Sequence, residues 1–334
     1  MALQNIPISS LLELDNTYAA RLTQRRARLA SNRREVLAAT PEGKEAVLEF
    51  YQWVVSVYLV GRWPGIYRYT DMGADSGGVG KEGGGGKGKG VRNSITGEIL
   101  PLDIYDAELA LELLNGNIDT EFLFLLSSPS TPSTQPTYKL ASYINATPAG
   151  FSTRSKLHLS LSAIHNPVPY YAEKLERSMD RFFARLPVGK VVKRENWSVS
   201  VKGEWFCLEG AHGVVHANTN TNNDAKEQEQ EKMKEEEEVV VDPEITSLRC
   251  ERQTLHRLPV SGAVVFAFKT YMYPVRLIRD EGSGEALAEA IDGLGLGSVP
   301  DMRFYKRGDV WGEEVKAFLR GEGGRRGELG VDEE

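Results

Sequence analysis

GAVVFAFKTY, residues 262–271, is the stretch on which the reading of the fold turns. Val264, Phe266, Phe268 and Thr270 fall on one face and Ala263, Val265, Ala267 and Lys269 on the other, the two-residue alternation of a β-strand. Working outward, residues 196–207 read as a second strand, and if LRCERQTLHRLP at 248–259 adds to the sheet some of its charged side chains must point inward. Residues 138–144 alternate as another strand, and VRNSITGEILPL at 91–102 reads as strand, turn, strand.

Helices frame these strands. Residues 15–38 and 41–58 form an N-terminal helical layer, the second helix carrying Ala46, Val47, Phe50, Tyr51, Val54 and Tyr58 at helical spacing. In the first, Arg21, Arg25 and Arg28 beside Leu22 and Leu29 read as the wet face of an amphipathic helix. Residues 107–115 and 119–126 read as short helices. The clearest helix is 167–186, where Tyr171, Leu175, Met179, Phe182, Phe183 and Leu186 recur at three and four, with Pro169 near the start and Pro187 after the end.

Two stretches break this pattern. Residues 73–90 are mostly glycine with Lys81, Lys87 and Lys89, and 216–242 are rich in Asn, Thr, Gln, Lys and Glu; neither composition buries enough apolar surface to order itself. A literal G-x-G-x-x-G at 83–88 has no strand before it and no helix after it, so it does not read as a dinucleotide loop. Residues 127–136 form a Ser/Thr/Pro loop, and the tail 321–334 frays. The sum is an α+β fold over residues 1–320, one domain with two disordered insertions.

The bulk numbers narrow the function. A chain of 334 residues that is 41% hydrophobic buries a real core. Of the formal charge of −7, residues 224–242 account for nine acidic against three basic side chains, leaving a nearly neutral body. Without a basic stripe it does not read as a nucleic-acid binder. Cys207 and Cys250 make at most one disulfide and cannot ligate an iron–sulfur cluster, so any reducing electrons come through another polypeptide. The N-terminus lacks the basic and apolar regions of a signal peptide, and the apolar run 54–66 is broken by Gly61, Arg62 and Pro64; a cytoplasmic, membrane-free protein is expected.

The five histidines, His158, His165, His212, His216 and His256, show no metal-ligand spacing, and no G-x-S-x-G elbow offers a nucleophile. His165 closes the apolar run 159–164 and precedes Asn166-Pro167-Val168-Pro169. That setting suits an ordinary structural histidine at a strand-to-helix corner, or the rigid apolar surroundings a proximal haem ligand needs. In LRCERQTLHRLP, Arg249, Glu251, Arg252 and Arg257 surround Gln253 and Thr254, either as a structural salt-bridge network or as a polar pocket whose carboxylate receives a cationic amine. Arg194 reads as a surface strand end or as the partner of such a carboxylate.

Three segments together resemble the α-subunit-like family of haem-dependent oxidative N-demethylases of bacteria and fungi. They are Leu161 to Pro169 with Met179-Asp-Arg-Phe-Phe183 behind it, Arg194-Glu-Asn-Trp197-Ser, and Leu248 to Pro259 with Phe266-Ala-Phe-Lys-Thr-Tyr271; weaker similarity reaches back through 91–98 to 15–25. The resemblance implies a haem b site in a PAS-like α+β domain that removes a methyl group from a small secondary alkylamine as formaldehyde, a monooxygenase reaction. NADPH, FMN and a 2Fe-2S centre are implied only on a flavin/iron–sulfur reductase partner. Carried onto this chain, His165 becomes the axial ligand of the haem iron, Glu251 the carboxylate that holds or deprotonates the amine, and Arg194 a polar partner near the haem. His256 is the rival ligand. A non-catalytic haem-binding sensor and a haem-free scaffold protein are the alternatives.

Overall fold

Strand β10 (Val264–Pro274) runs through a seven-stranded antiparallel sheet in the order β1-β8-β9-β10-β6-β7-β2 of a computed structural model that describes residues 3–72, 88–128, 136–213 and 240–322. Its neighbours are β9 (Ser247–Arg257) and β6 (Glu121–Ser127). Beyond them lie β8 (Val191–Ser200) and β1 (Gln4–Ile6) on one side, β7 (Tyr138–Ile144) and β2 (Leu37–Ala39) on the other. The alternation read from the sequence holds: Val265 and Ala267 enter one core and Val264 and Phe266 the other.

The first core lies between the sheet and the helices α1 (Tyr18–Val36), α2 (Lys44–Trp53) and α4 (Ala107–Asn117), where Phe50, Val54, Leu111 and Leu114 pack on Phe122 and Phe124. Helix α2 continues through a wider turn, Val54–Leu59, into α3 (Val60–Arg62). A small antiparallel sheet of β3 (Tyr67–Asp71), β4 (Lys89–Asn93) and β5 (Ile99–Pro101) adds Tyr67, Val91 and Leu100 to this core. On the opposite face, α5 (Leu161–His165) and α6 (Glu176–Arg185) cover Leu125, Leu140, Val192 and Leu255. Of four further helices, α7 (Val275–Asp280), α8 (Gly284–Asp292), α9 (Met302–Tyr305) and α10 (Gly308–Leu319), the first, second and fourth build a third core around Val199, Ile291, Trp311 and Val315. The chain is thus a mixed α+β protein, with the N-terminal helical layer in place.

Several expectations change. Residues 119–126 hold a strand, β6, and not a helix: the run Phe122 to Leu126 is too short to reveal a period, and it serves both cores at once, which a strand between two neighbours does and a surface helix does not. The strand expected at 196–207 is β8, displaced to 191–200; afterwards the chain leaves the sheet and touches strand-like structure only where Cys207 bridges Ala149. The helix expected from 167 begins properly at Glu176, because Tyr170 adopts a left-handed conformation (φ 55°) and a wide turn, Tyr171–Leu175, follows it. His165 ends a short helix and not a strand. Lys89 and Gly90, the end of the glycine-rich stretch, already belong to β4; residues 73–87 of that stretch, with the start of its G-x-G-x-x-G, lie outside the described residues, as do 129–135, 216–239 and 323–334 of the other expected loops and tail.

The arginines of α1 are the largest correction. Arg21 and Arg25 are buried, not wet. Arg25 forms an ion pair with Glu121 and donates from Nη2 to the Thr120 carbonyl at 3.1 Å; Arg21 donates to the Thr270 carbonyl at 2.8 Å. Helical spacing of cations says which side chains share a face, not whether water or a buried carboxylate waits there. No helix of the described residues is long and apolar enough to cross a membrane, and both cysteines are free.

Candidate functional site

Strand register places three rows of side chains on the sheet face that looks toward α5 and α6. Arg194 stands opposite Gln253, which stands opposite Phe268; Asn196, Glu251 and Thr270 form the next row, and Ser198, Arg249 and Met272 the third. One end of this face is apolar, with Val192, Leu255 and Phe266 under the helices. The other end is the polar group centred on Glu251.

The Glu251 carboxylate accepts from Gln253 Nε2 at 3.0 Å, from Arg249 Nε at 3.3 Å and, weakly, from Asn196 Nδ2 at 3.5 Å. Arg249 is itself fixed: its Nη2 donates to the Thr147 carbonyl at 2.5 Å and to Thr270 Oγ1 at 3.3 Å, and Thr147 Oγ1 donates to Glu121 at 2.8 Å. A continuous buried chain therefore runs from Arg25 of α1 through Glu121, Thr147 and Arg249 to Glu251. Carboxylates taken out of water survive on such partners.

Arg194 is held differently. Its Nε is buried with no hydrogen-bond partner among the described residues, and burial lowers its affinity for the proton while the Glu251 charge opposes that shift. An orphaned guanidinium N–H is a group awaiting an acceptor. Lys306, between α9 and α10, closes the polar end from outside the sheet. It donates to the Trp197 carbonyl, lies 4.7 Å from the Trp197 ring centre, and is pushed down to about 8 by burial, against the pull of Glu251. His212 stacks on Tyr305 with centroids 4.7 Å apart and planes 2° from parallel, and both rings feel the Glu251 charge.

His165 sits over the apolar end. Its Nδ1 is 2.7 Å from the Leu161 carbonyl, one helical turn back, and its ring stacks on Tyr171 at 4.8 Å and 9°. Donation from Nδ1 to that carbonyl fixes the tautomer and leaves Nε2 as a free lone pair, the arrangement found in histidines that ligate metals. Burial holds its pKa below the ordinary value, with Lys156 and Arg194 acting in the same direction, so the ring is neutral at pH 7. The influence of Arg194 places His165 and the polar group within electrostatic reach of each other.

His256 belongs elsewhere. It stands opposite Val265 and Val191 on the other face of β9, fully enclosed between Phe50 and Trp53 at 5.8 and 5.9 Å. The sheet separates it from Glu251 and Arg194. Among the described residues no group of three or more His, Cys, Asp or Glu side chains could hold a bare metal ion, so a group bringing its own equatorial ligands is what a single histidine here would serve.

The residues fit a haem on three counts: one histidine whose Nδ1 is tied to the Leu161 carbonyl, a wall of Ile164, Met179 and Phe266 with Tyr171 against Met179, and one unsatisfied cationic donor, Arg194 Nε, for an anionic propionate group. A cavity of about 650 Å³ opens beyond Arg249, between the ends of β8 and β9, Ala149 and Trp311. The sequence reading named Glu251, Arg194 and His165 as site residues and set Arg249 in the charged block around Gln253, but gave no role to Asn196, His212, Tyr305 or Lys306. Arg249 had a signal, its two-residue spacing from Glu251; Tyr305 ends α9 and Lys306 follows it, in a C-terminal region to which the sequence reading assigned no element.

A family model described as haem-dependent oxidative N-demethylase, alpha subunit-like, matches residues 2–316. No curated protein matches the chain.

Proposed function

The chain belongs to the haem-dependent oxidative N-demethylase, alpha subunit-like family, and on that premise we propose that it is a haem b monooxygenase subunit that demethylates a small secondary alkylamine. The observation that carries this is the pairing, on one sheet face, of a histidine whose Nδ1 is tied to Leu161 with the Glu251–Arg194 polar group. In this reading residues 1–320 are one PAS-like domain with two insertions, acting in the cytoplasm, and His165 Nε2 would hold the haem iron.

When bound, the haem supplies oxygen activation, for a reaction that takes up O2, two electrons and two protons and yields amine, formaldehyde and water. The protein's own part is positioning. Glu251 accepts an N–H from the amine and places the methyl group beside the reacting centre. Arg194, Arg249 and Lys306 surround that carboxylate and offset its charge, so the site opposes a further positive charge and favours entry of the neutral amine. Arg194, with its buried Nε unpartnered, would donate to an anionic group of the haem. The apolar wall of Phe266, Met179 and Tyr171 would keep water from the group held at His165. Electrons come from a separate polypeptide carrying NADPH, FMN and 2Fe-2S chemistry, consistent with an alpha subunit and with two free cysteines.

The test is the absorption spectrum of haem-supplemented protein. Loss or shift of the Soret band in His165→Ala, with His256→Ala like wild type, is expected. Glu251→Gln should keep the band and lose amine turnover. Absence of the band in wild type sinks the reading, and its loss only in His256→Ala moves the ligand to the other face.

A further inference from the structure

The outer face of α6 carries a groove that the proposed chemistry does not use. Arg181, Arg185 and Lys190 converge on a concavity of about 320 Å³ floored by Phe182, Leu186 and Pro187. All three cations are exposed, and among the described residues none has an ion-pair or hydrogen-bond partner. Elsewhere on the surface Arg26, Arg33, Arg276, Arg303 and Arg320 are paired with carboxylates, while Arg68 and Arg92 donate to backbone carbonyls. The acidic residues of the same helix, Glu176 and Asp180, lie toward Tyr171 and not in the groove.

Helix α6 is also the wall of the site. Its inner side carries Met179, whose sulfur accepts from Tyr171 Oη at 3.3 Å, and Tyr171 stacks on His165. The groove and the His165 ring are thus separated by little more than one helix, a thickness of about 10 Å.

We propose that this groove is the docking surface for an acidic electron-donor protein. The inference rests on the functional reading above for the need of electrons, and on the groove itself for the place. Unpaired cations around an apolar floor steer an acidic partner and then exclude water beneath it, which raises the rate of encounter more than the final affinity. At each encounter the partner's reduced centre gives up one electron, which is taken up at the group held by His165, and the partner leaves oxidised.

The probe is a plant-type 2Fe-2S ferredoxin, an acidic one-electron donor, and the readout is its binding to the full chain by calorimetry at low ionic strength. Wild type should bind, with affinity falling as salt rises. Arg181→Glu, Arg185→Glu and Lys190→Glu together should weaken binding at least tenfold. Lys44→Glu, Arg68→Glu and Arg92→Glu, which make the same change of net charge on exposed residues elsewhere, should weaken it less than threefold. No binding by wild type, or equal loss in the two triple variants, overturns the proposal. Binding that appears only when the glutamates at 235–238 are changed to glutamine gives the groove to the chain's own acidic run, and overturns it too. Binding needs no haem, so a chain without a Soret band refutes the enzymatic reading and leaves the docking measurement to be judged by itself. Where haem is present, reduction by ferredoxin should slow in the first triple variant while reduction by dithionite stays as in wild type.

Discussion

His256 shows how a single residue can mislead. It carries a metal-binding side chain in the motif block that most resembles the family, yet β-strand parity sends it to the face opposite Glu251, since residues five apart on a strand point apart. There it is a neutral ring with both nitrogens buried and unpartnered, packed by Phe50 and Trp53, and pushed down to about 4 by burial. Unsatisfied buried polar atoms cost about 1–3 kcal/mol each. His256→Leu should therefore stabilise the fold by about 1 kcal/mol or more in urea unfolding at pH 7, with the Soret band unchanged. The pH sign follows from the same burial. The unfolded ring takes up a proton near its ordinary 6.5 while the folded ring resists to about 4, so stability is complete above 6.5 and falls as pH drops between the two. That loss approaches about 3 kcal/mol for wild type by pH 4 and should be absent in the leucine variant. A midpoint of acid unfolding that does not move would show that His256 is hydrated or partnered in solution.

At the level of elements, the pairing of α1 with β6 decides how the site is braced. Glu121 receives Arg25, the Ala146 N–H and the Thr147 hydroxyl, and through Thr147 it is tied to the Arg249 that holds Glu251. Both members of the ion pair are about 1% exposed, so removing one strands the other. Glu121→Leu should cost about 3–5 kcal/mol in urea unfolding, whereas Arg25→Leu with Glu121→Leu should recover at least half of that loss. Equal losses in the single and the double variant would mean that the hydrogen bonds to Thr120 and Thr147, not the charges, carry the pair. This pairing is also where sequence reading stopped being able to see. Period-two alternation made β7 and β10 legible, and helical spacing made α1, α2 and α4 legible, because each has one preferred burial pattern, while the dense charge of 248–257 hid β9. Strand β6 has apolar side chains toward two cores and so shows no period, and Arg25 looks like a solvated cation until its carboxylate, 96 residues away, is placed beside it. The site was legible to the same extent. Glu251, Arg194 and His165 sit in recognisable blocks, while Arg249 and Lys306 matter only through contacts that the register and the C-terminal helices create.

For the molecule as a whole, the C-terminal helices close the polar end of a sheet that the N-terminal helices brace from behind. Trp311, Val315 and Ile291 anchor that cover on Val199 of β8, and Tyr305 and Lys306 are thereby carried to the edge of the Glu251 group. The charge count around the carboxylate is then a property of the assembled fold: Arg194 and Arg249 come from the sheet and Lys306 from the cover. Lys306 is pushed down to about 8 by burial, and it loses its charge as pH rises through that value. If an amine enters against this field, removing Lys306 helps it most where Lys306 is charged. Lys306→Met should lower the KM for a small secondary methylamine about fivefold at pH 7, corresponding to about 1 kcal/mol of relieved repulsion across a partly hydrated site. The advantage should vanish above pH 9, where wild type has lost the same charge, so the wild-type KM falls more steeply with pH than that of the variant. Parallel pH profiles, or a higher KM in Lys306→Met at pH 7, would show that the lysine attracts an anionic part of the substrate or braces Trp197 instead, and would remove the cover helices from the control of amine binding.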